Sequence, residues 1–147
     1  MNVAISIHPD AAADILAGIK TVELRHQLPT RLAAGDTIYL VGKGYMWGHC
    51  TFAGATLIPP PGIFRDKWLE AIATPAAMPV SAARFHLETS GSHGWAWHLR
   101  YPVSYGENGI HWIGRRFTHF MYISTEPHII HPSVENYRLY LKTHPTP

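Results

Sequence analysis

Val3, Ile5 and Ile7 alternate with small or polar residues, the two-residue period of a half-buried strand, so a first strand is predicted over residues 2–7. Residues 9–17 follow as a short helix. Pro9 suits its first position, Asp10 its positive end and Gly18 its stop. Val22 and Leu24 then alternate with Thr21, Glu23 and Arg25, giving a second strand over 20–25. Residues 28–32 form a turn or one helical turn, and 34–36 a tight turn. A third strand, β-branched and aromatic, spans 37–41. A glycine-punctuated loop over 42–48 and a fourth strand over 49–58 come next, ended by three prolines at 59–61.

Phe64, Trp68 and Ile72 recur every four residues, with Leu69 adjoining, which predicts a helix over 64–73 with Arg65, Asp66 and Glu70 on its other faces. Residues 74–82 read as a connector and 83–88 as a short strand. A strand over 94–103 places Trp95, Trp97, Leu99 and Tyr101 on one side and His98 and Arg100 on the other. Residues 110–113 and 117–123 are further strand candidates, 137–141 a short terminal helix or strand, and 143–147 a frayed tail. Many strands, few helices and no regular strand–helix alternation argue against a doubly wound sheet. They predict an α+β, mainly β fold: a small, mostly antiparallel barrel decorated with two or more short helices.

Composition narrows this picture. A chain of 147 residues, 46% apolar and 15% charged, is expected to form one folded domain over 1–147. The net charge of +2 excludes neither a nucleic-acid ligand nor a neutral one. Charge is uneven, however. Between Thr89 and Thr125 the only acid is Glu107, against Arg100, Arg115, Arg116 and four histidines. Such a stretch attracts phosphate, more so as histidines protonate, or is simply a solvated sheet edge. Cys50 is the only cysteine, which excludes an intramolecular disulfide and a Cys-rich zinc motif and fits a reducing cytoplasm. Its strand context makes it a core residue. No signal peptide, membrane span or internal repeat is read.

Candidate chemistry concentrates in residues 18–25, where a lysine, a glutamate and an arginine fall within six positions as helix gives way to strand. Thr21, Glu23 and Arg25 are expected on one strand face, with Lys20 at its mouth. A partly desolvated lysine at a cleft can act as a base or grip a phosphate or carbonyl. Glu23 can accept from an exocyclic amine, and Arg25 can clasp phosphate or stack on a base. The plainer alternative is a salt-bridge triad that pins the strand.

The order Ser6-Ile-His-Pro-Asp10, a short helix, Gly18-x-Lys20-x-x-Glu23-x-Arg25, Leu28-Pro-x-x-Leu32 and Gly35-Asp36-x-Ile-Tyr39 resembles the ASCH domain of the PUA-like superfamily. Gly48 is similar to that family's small glycine at the start of its next strand. The likeness covers residues 3–56, then reduces to Trp95-Ala-Trp-His-Leu99, which is similar to a strand that closes the family's barrel. It implies a PUA-like mixed or antiparallel pseudobarrel with a cleft, and an RNA, nucleoside or nucleotide ligand. Some ASCH proteins are reported as ribonucleases, and one branch removes the acyl group from N4-acetylcytidine. In that branch the lysine matching Lys20 is catalytic and a threonine acts three residues on, where this chain has Glu23. A distant glutamate assists there; Glu70 and Glu88 match it by position only. Residues 105–147, rich in histidine, extend beyond a minimal ASCH domain.

Lys43, Tyr45 and Trp47 in the glycine-punctuated loop add a cation and two aromatic faces, suited to the rim of a base pocket. The alternative is that Trp47 is core and Tyr45 a half-exposed turn residue. Eleven histidines raise the question of metal, but His128/His131 and His93/His98 lack zinc-finger or HExxH spacing, so no metal and no cofactor are expected. His8 and His26 bracket the motif and are the histidines best placed for acid–base work. Two readings follow. One is a module that binds RNA or a modified nucleobase through Lys20, Thr21, Glu23, Arg25, Lys43, Tyr45, Trp47, Arg115 and Arg116. The other is a small hydrolase, on an RNA phosphodiester or acylated nucleoside, with Lys20 and Glu23 catalytic. A homodimer through the strand 95–101 is a third.

Overall fold

Strand β4 (Tyr45–Leu57) is long enough to bend through the whole molecule, and the other strands assemble around it. The computed structural model describes residues 1–89, 94–112 and 116–123. Over these the elements run β1 (Asn2–Ser6), α1 (Pro9–Leu16), β2 (Val22–Arg25), β3 (Thr37–Gly42), β4, α2 (Ile63–Ile72), α3 (Val80–Thr89), β5 (Trp95–Ser104), β6 (Ile110–His111) and β7 (Phe120–Ile123). The sheet order is β2-β5-β4-β3-β1-β7, with β6 paired to β4. Among the described residues only the β1–β3 pair is parallel, because α1 and β2 carry the chain across between them. The sheet curls into a half-barrel with three helices, the mainly β pseudobarrel architecture expected.

The curl has a local cause. Between His49 and Thr51 of β4, strand β5 carries an extra residue, and Tyr101 takes a φ of 52° there. Between Phe52 and Ala55 the extra residue is on β4, where Gly54 has a φ of 117°. Bulges of this kind bend a strand and raise its twist. The inward positions on either side are apolar. Val3, Ile5, Ile15, Ile38, Leu40, Cys50, Phe52, Trp97 and Leu99 form one buried cluster under α1. A second joins Tyr39, Met46, Tyr105, Ile110 and Met121.

Three segments differ from the sequence expectation. The stretch 42–48 is no loop: Lys43 and Gly44, with φ values of 56° and 82°, make a two-residue hairpin, and Tyr45 onward is already ladder. Positive φ at both central residues is the geometry whose twist matches the flanking strands. Residues 83–88 lie in helix α3, not a strand. Pro79 precedes its first turn, and Ala83 and Leu87, four apart, are the buried pair. The alternation of Phe85 and Leu87 mimicked a strand, but Phe85 is 68% exposed. In helix α2 the expected stripe holds except in the first turn, since Trp68 and Ile72 pack on the core beside the buried Leu69. Phe64 is 74% exposed, while Arg65 and Leu69 are buried. Burying Leu69 and Ala76 against Val22 and Leu24 of β2 and Ala83 and Leu87 of α3 decides the orientation. The candidate element at 137–141 lies outside the described residues.

Candidate functional site

The end of α1 delivers the first charged group. Gly18, with a φ of 77°, stops the helix, and the amides of Ile19 and Lys20 both return to the Asp14 carbonyl. That closes a tight turn and drives Lys20 inward, leaving it only 4% exposed. Its Nζ donates to the Ala76 carbonyl at 2.7 Å and lies 3.6 Å from Glu23 Oε1. The connector holding Ala76 is fixed in turn, since the amides of Thr21 and Val22 donate to the Pro75 carbonyl.

Strand β2 then alternates. Val22 and Leu24 enter the core, while Glu23 and Arg25 share the other face. Glu23 Oε2 lies 3.6 Å from Arg25 Nη2, so the carboxylate is flanked by two cations. Arg25 reaches across the open side of the half-barrel. Its Nη2 donates to the Ser6 carbonyl at 2.6 Å and its Nη1 to the His119 carbonyl at 3.3 Å. Since β2 ends the sheet on one side and β7, next to β1, ends it on the other, this guanidinium stitches the seam of the curl. It also sits 5.9 Å from the centre of the Trp97 ring, within cation–π range.

A cavity of about 530 Å³ opens along that seam, a size typical of small-molecule sites. Strand β2 and the residues after it contribute Glu23, Leu24, Arg25, His26 and Gln27. The end of β1 and the start of α1 contribute Ser6, Ile7, His8 and Ala11; Trp97, His119 and Phe120 come from the rest of the sheet, and His86 from α3. Four histidines therefore share one cavity. The His26 and His86 rings stack with centroids 6.5 Å apart. His8 Nδ1 accepts the Asp10 amide at 3.2 Å and so caps α1.

The expected site residues do not all meet here. Glu23 and Arg25 line the cavity; Lys20 stands behind Glu23 and, with the exposed Thr21, borders a separate space of about 20 Å³ beside Cys50. Burial, with the nearby Glu23 charge, pushes the Cys50 thiol up to about 12, so it is a protonated core group. Lys43, Tyr45 and Trp47 occupy the β3–β4 hairpin, away from the lining. Lys43 and Tyr45 are exposed, and Trp47 is half-buried with its Nε1 donating to the Gly42 carbonyl at 3.1 Å. Arg116 is exposed and outside the lining, and Arg115 lies outside the described residues, as do His93, His128 and His131. Of the strand 95–101, Trp97 and Leu99 are core and Tyr101 is exposed. The sequence reading passed over Trp97, His86, His119 and Phe120 as site residues. They come from three separate segments, and nothing local announces their meeting.

Among the described residues no group of three or more His, Cys, Asp or Glu side chains is placed to hold a metal ion, and no helix is long and apolar enough to cross a membrane.

No protein-family model and no curated protein sequence matches the chain. Solved structures do. An ASCH protein from Zymomonas mobilis superposes with a TM-score of 0.58 at 20% identity, covering 70% of this chain and 73% of its own. A variant of that protein gives 0.52 at 18% identity, with 70% and 75% covered. The hypothetical protein PH0355 gives 0.51 at 16% identity, with 70% of this chain and all of its own covered. With the curled sheet and its helices, these likenesses establish that the chain has the ASCH-domain fold.

Proposed function

We propose that the seam cavity binds an unstacked base of RNA or a modified nucleoside. One observation carries the reading: a carboxylate held between two cations stands in the wall of an open cavity of nucleoside size, beside an arginine and aromatic rings. Glu23 supplies an acceptor for an exocyclic amine, the edge that marks cytosine and adenine. The Arg25 guanidinium and the ring of Phe120 offer flat faces for the base, and the rim histidines suit the attached ribose phosphate. Lys20 acts through Glu23, fixing where its carboxylate points.

A panel of modified nucleosides and short single-stranded RNAs, read for both retention and product by mass spectrometry, tests this. Retention without product is expected, weakened roughly tenfold or more in Glu23→Gln, since hydrogen bonds to charged groups contribute about 1.5–3 kcal/mol. Unaltered retention in that variant would reject the reading.

A second reading, phosphodiester or acyl hydrolysis, is favoured by the four histidines. Two imidazoles on one cavity can serve as base and acid without a metal. Product formation abolished by His26→Ala, with the fold intact by circular dichroism, would select it over simple binding.

A further inference from the structure

Helices α2 and α3 enclose a second hollow, of about 320 Å³. Arg84 and Glu88, four residues apart on one face of α3, line it, whereas His86 on the other side of that helix faces the seam cavity. The two spaces are thus separated by α3, and the hollow stands apart from the proposed base site.

Arg65 is its unusual member. The residue is 8% exposed, yet its guanidinium makes no hydrogen bond and no ion pair among the described residues. Guanidinium donors so largely buried, with no acceptor among the described residues, are costly, and the fold keeps them there. The nearest acid in sequence, Asp66, is engaged elsewhere, paired to Arg84 at 3.1 Å. The start of α2 opens on the same hollow. Gly62 lines it and precedes the first turn with a φ of 148°, a conformation open essentially to glycine alone, and no side chain caps the helix. The first-turn amides and the positive end of the helix are therefore left for something else.

We infer that this hollow is a binding site for a phosphate group. Phosphate oxygens can take the Arg65 fork and the first-turn N–H groups of α2 together, and their charge complements both. Arg84 stands at the rim with Asp66, its ion-pair partner, so the positive charge offered to the ligand is that of Arg65. Glu88 opposes it, and its carboxylate sets an upper limit on affinity that its removal should lift.

The test titrates inorganic phosphate against chloride at matched ionic strength into the full chain. It follows the amide resonances of residues 62–66 and the melting temperature. Saturable shifts confined to those amides and a rise in melting temperature are expected in the wild type. Arg65→Met should weaken binding roughly tenfold or more while melting no lower than wild type without phosphate, because it removes an unpaired buried charge. Arg65→Lys should retain part of the affinity, and Glu88→Gln should tighten it. A short oligoribonucleotide that displaces phosphate assigns the group to an RNA backbone. Phosphate binding that the oligonucleotide leaves untouched assigns it to a free or small-molecule phosphate. Wild-type amides that respond equally to phosphate and chloride, or an Arg65→Met variant with undiminished affinity, would overturn the proposal.

Discussion

Glu23 shows how much a residue's meaning depends on what stands behind it. Lys20 at 3.6 Å and 4% exposure is no surface partner whose loss costs a few tenths of a kcal/mol. Removing it leaves a buried carboxylate with one cation instead of two and orphans the Ala76 carbonyl. Lys20→Met should therefore lower stability by about 3 kcal/mol, measured by urea denaturation. The double variant Lys20→Met, Glu23→Gln should recover part of that loss, since the carboxylate is no longer stranded and Arg25, though it loses its counter-ion, keeps its two carbonyl acceptors. Cys50 offers a second check at this scale. With its thiol pushed up to about 12 by burial and the Glu23 charge, native protein at pH 8 should resist iodoacetamide and label fully once denatured.

At the scale of elements, two glycines mark where strands and helices approach too closely for a side chain. A Cβ on Gly42 would lie 2.0 Å from the Ile7 carbonyl oxygen, and one on Gly48 would lie 2.3 Å from that of Val103 and 2.5 Å from a Leu16 methyl. The nearest contact at each is with backbone that cannot swing away. Gly44 instead has open space but a φ of 82°. Gly42→Ala is thus expected to cost about 2–3 kcal/mol through overpacking, and Gly44→Ala about 1 kcal/mol through backbone strain alone. Melting temperatures of the two variants would rank them, and equal losses would contradict the packing argument. The resemblance that singled out Gly48 was legible in sequence; its reason, a helix and strand pressed on one spot, was not.

Across the whole molecule, the curled sheet buries a titratable group far from the seam. His49 is half-buried, its Nδ1 2.6 Å from the Tyr105 hydroxyl, and burial holds its pKa below the ordinary 6.5. The unfolded chain accepts that proton first as the pH falls. Stability should therefore decline as pH drops below about 6.5, and the loss is complete once the folded-state value is passed. His49→Gln should flatten the pH dependence of the urea midpoint in this window relative to wild type. A variant with an unchanged slope would exclude His49 as its source.

Local pattern alone sufficed for β1, α1, β2, β3 and most of β4 and β5, because each carries its own period and punctuation within a dozen residues. It misjudged α3 and the first turn of α2, whose short apolar runs fit two periods and were settled by burial against β2. The ordered residues 18–25 likewise announced a charged cluster at a strand mouth, since the i, i+2 spacing of Glu23 and Arg25 puts them on one face wherever the strand sits. Tertiary structure alone decided that Lys20 lies behind that face and that Trp97, His86, His119 and Phe120 stand around it. Those neighbours come from strands and a helix separated by tens of residues, and only closing the sheet edge to edge, with Arg25 as the stitch, makes a cavity out of them.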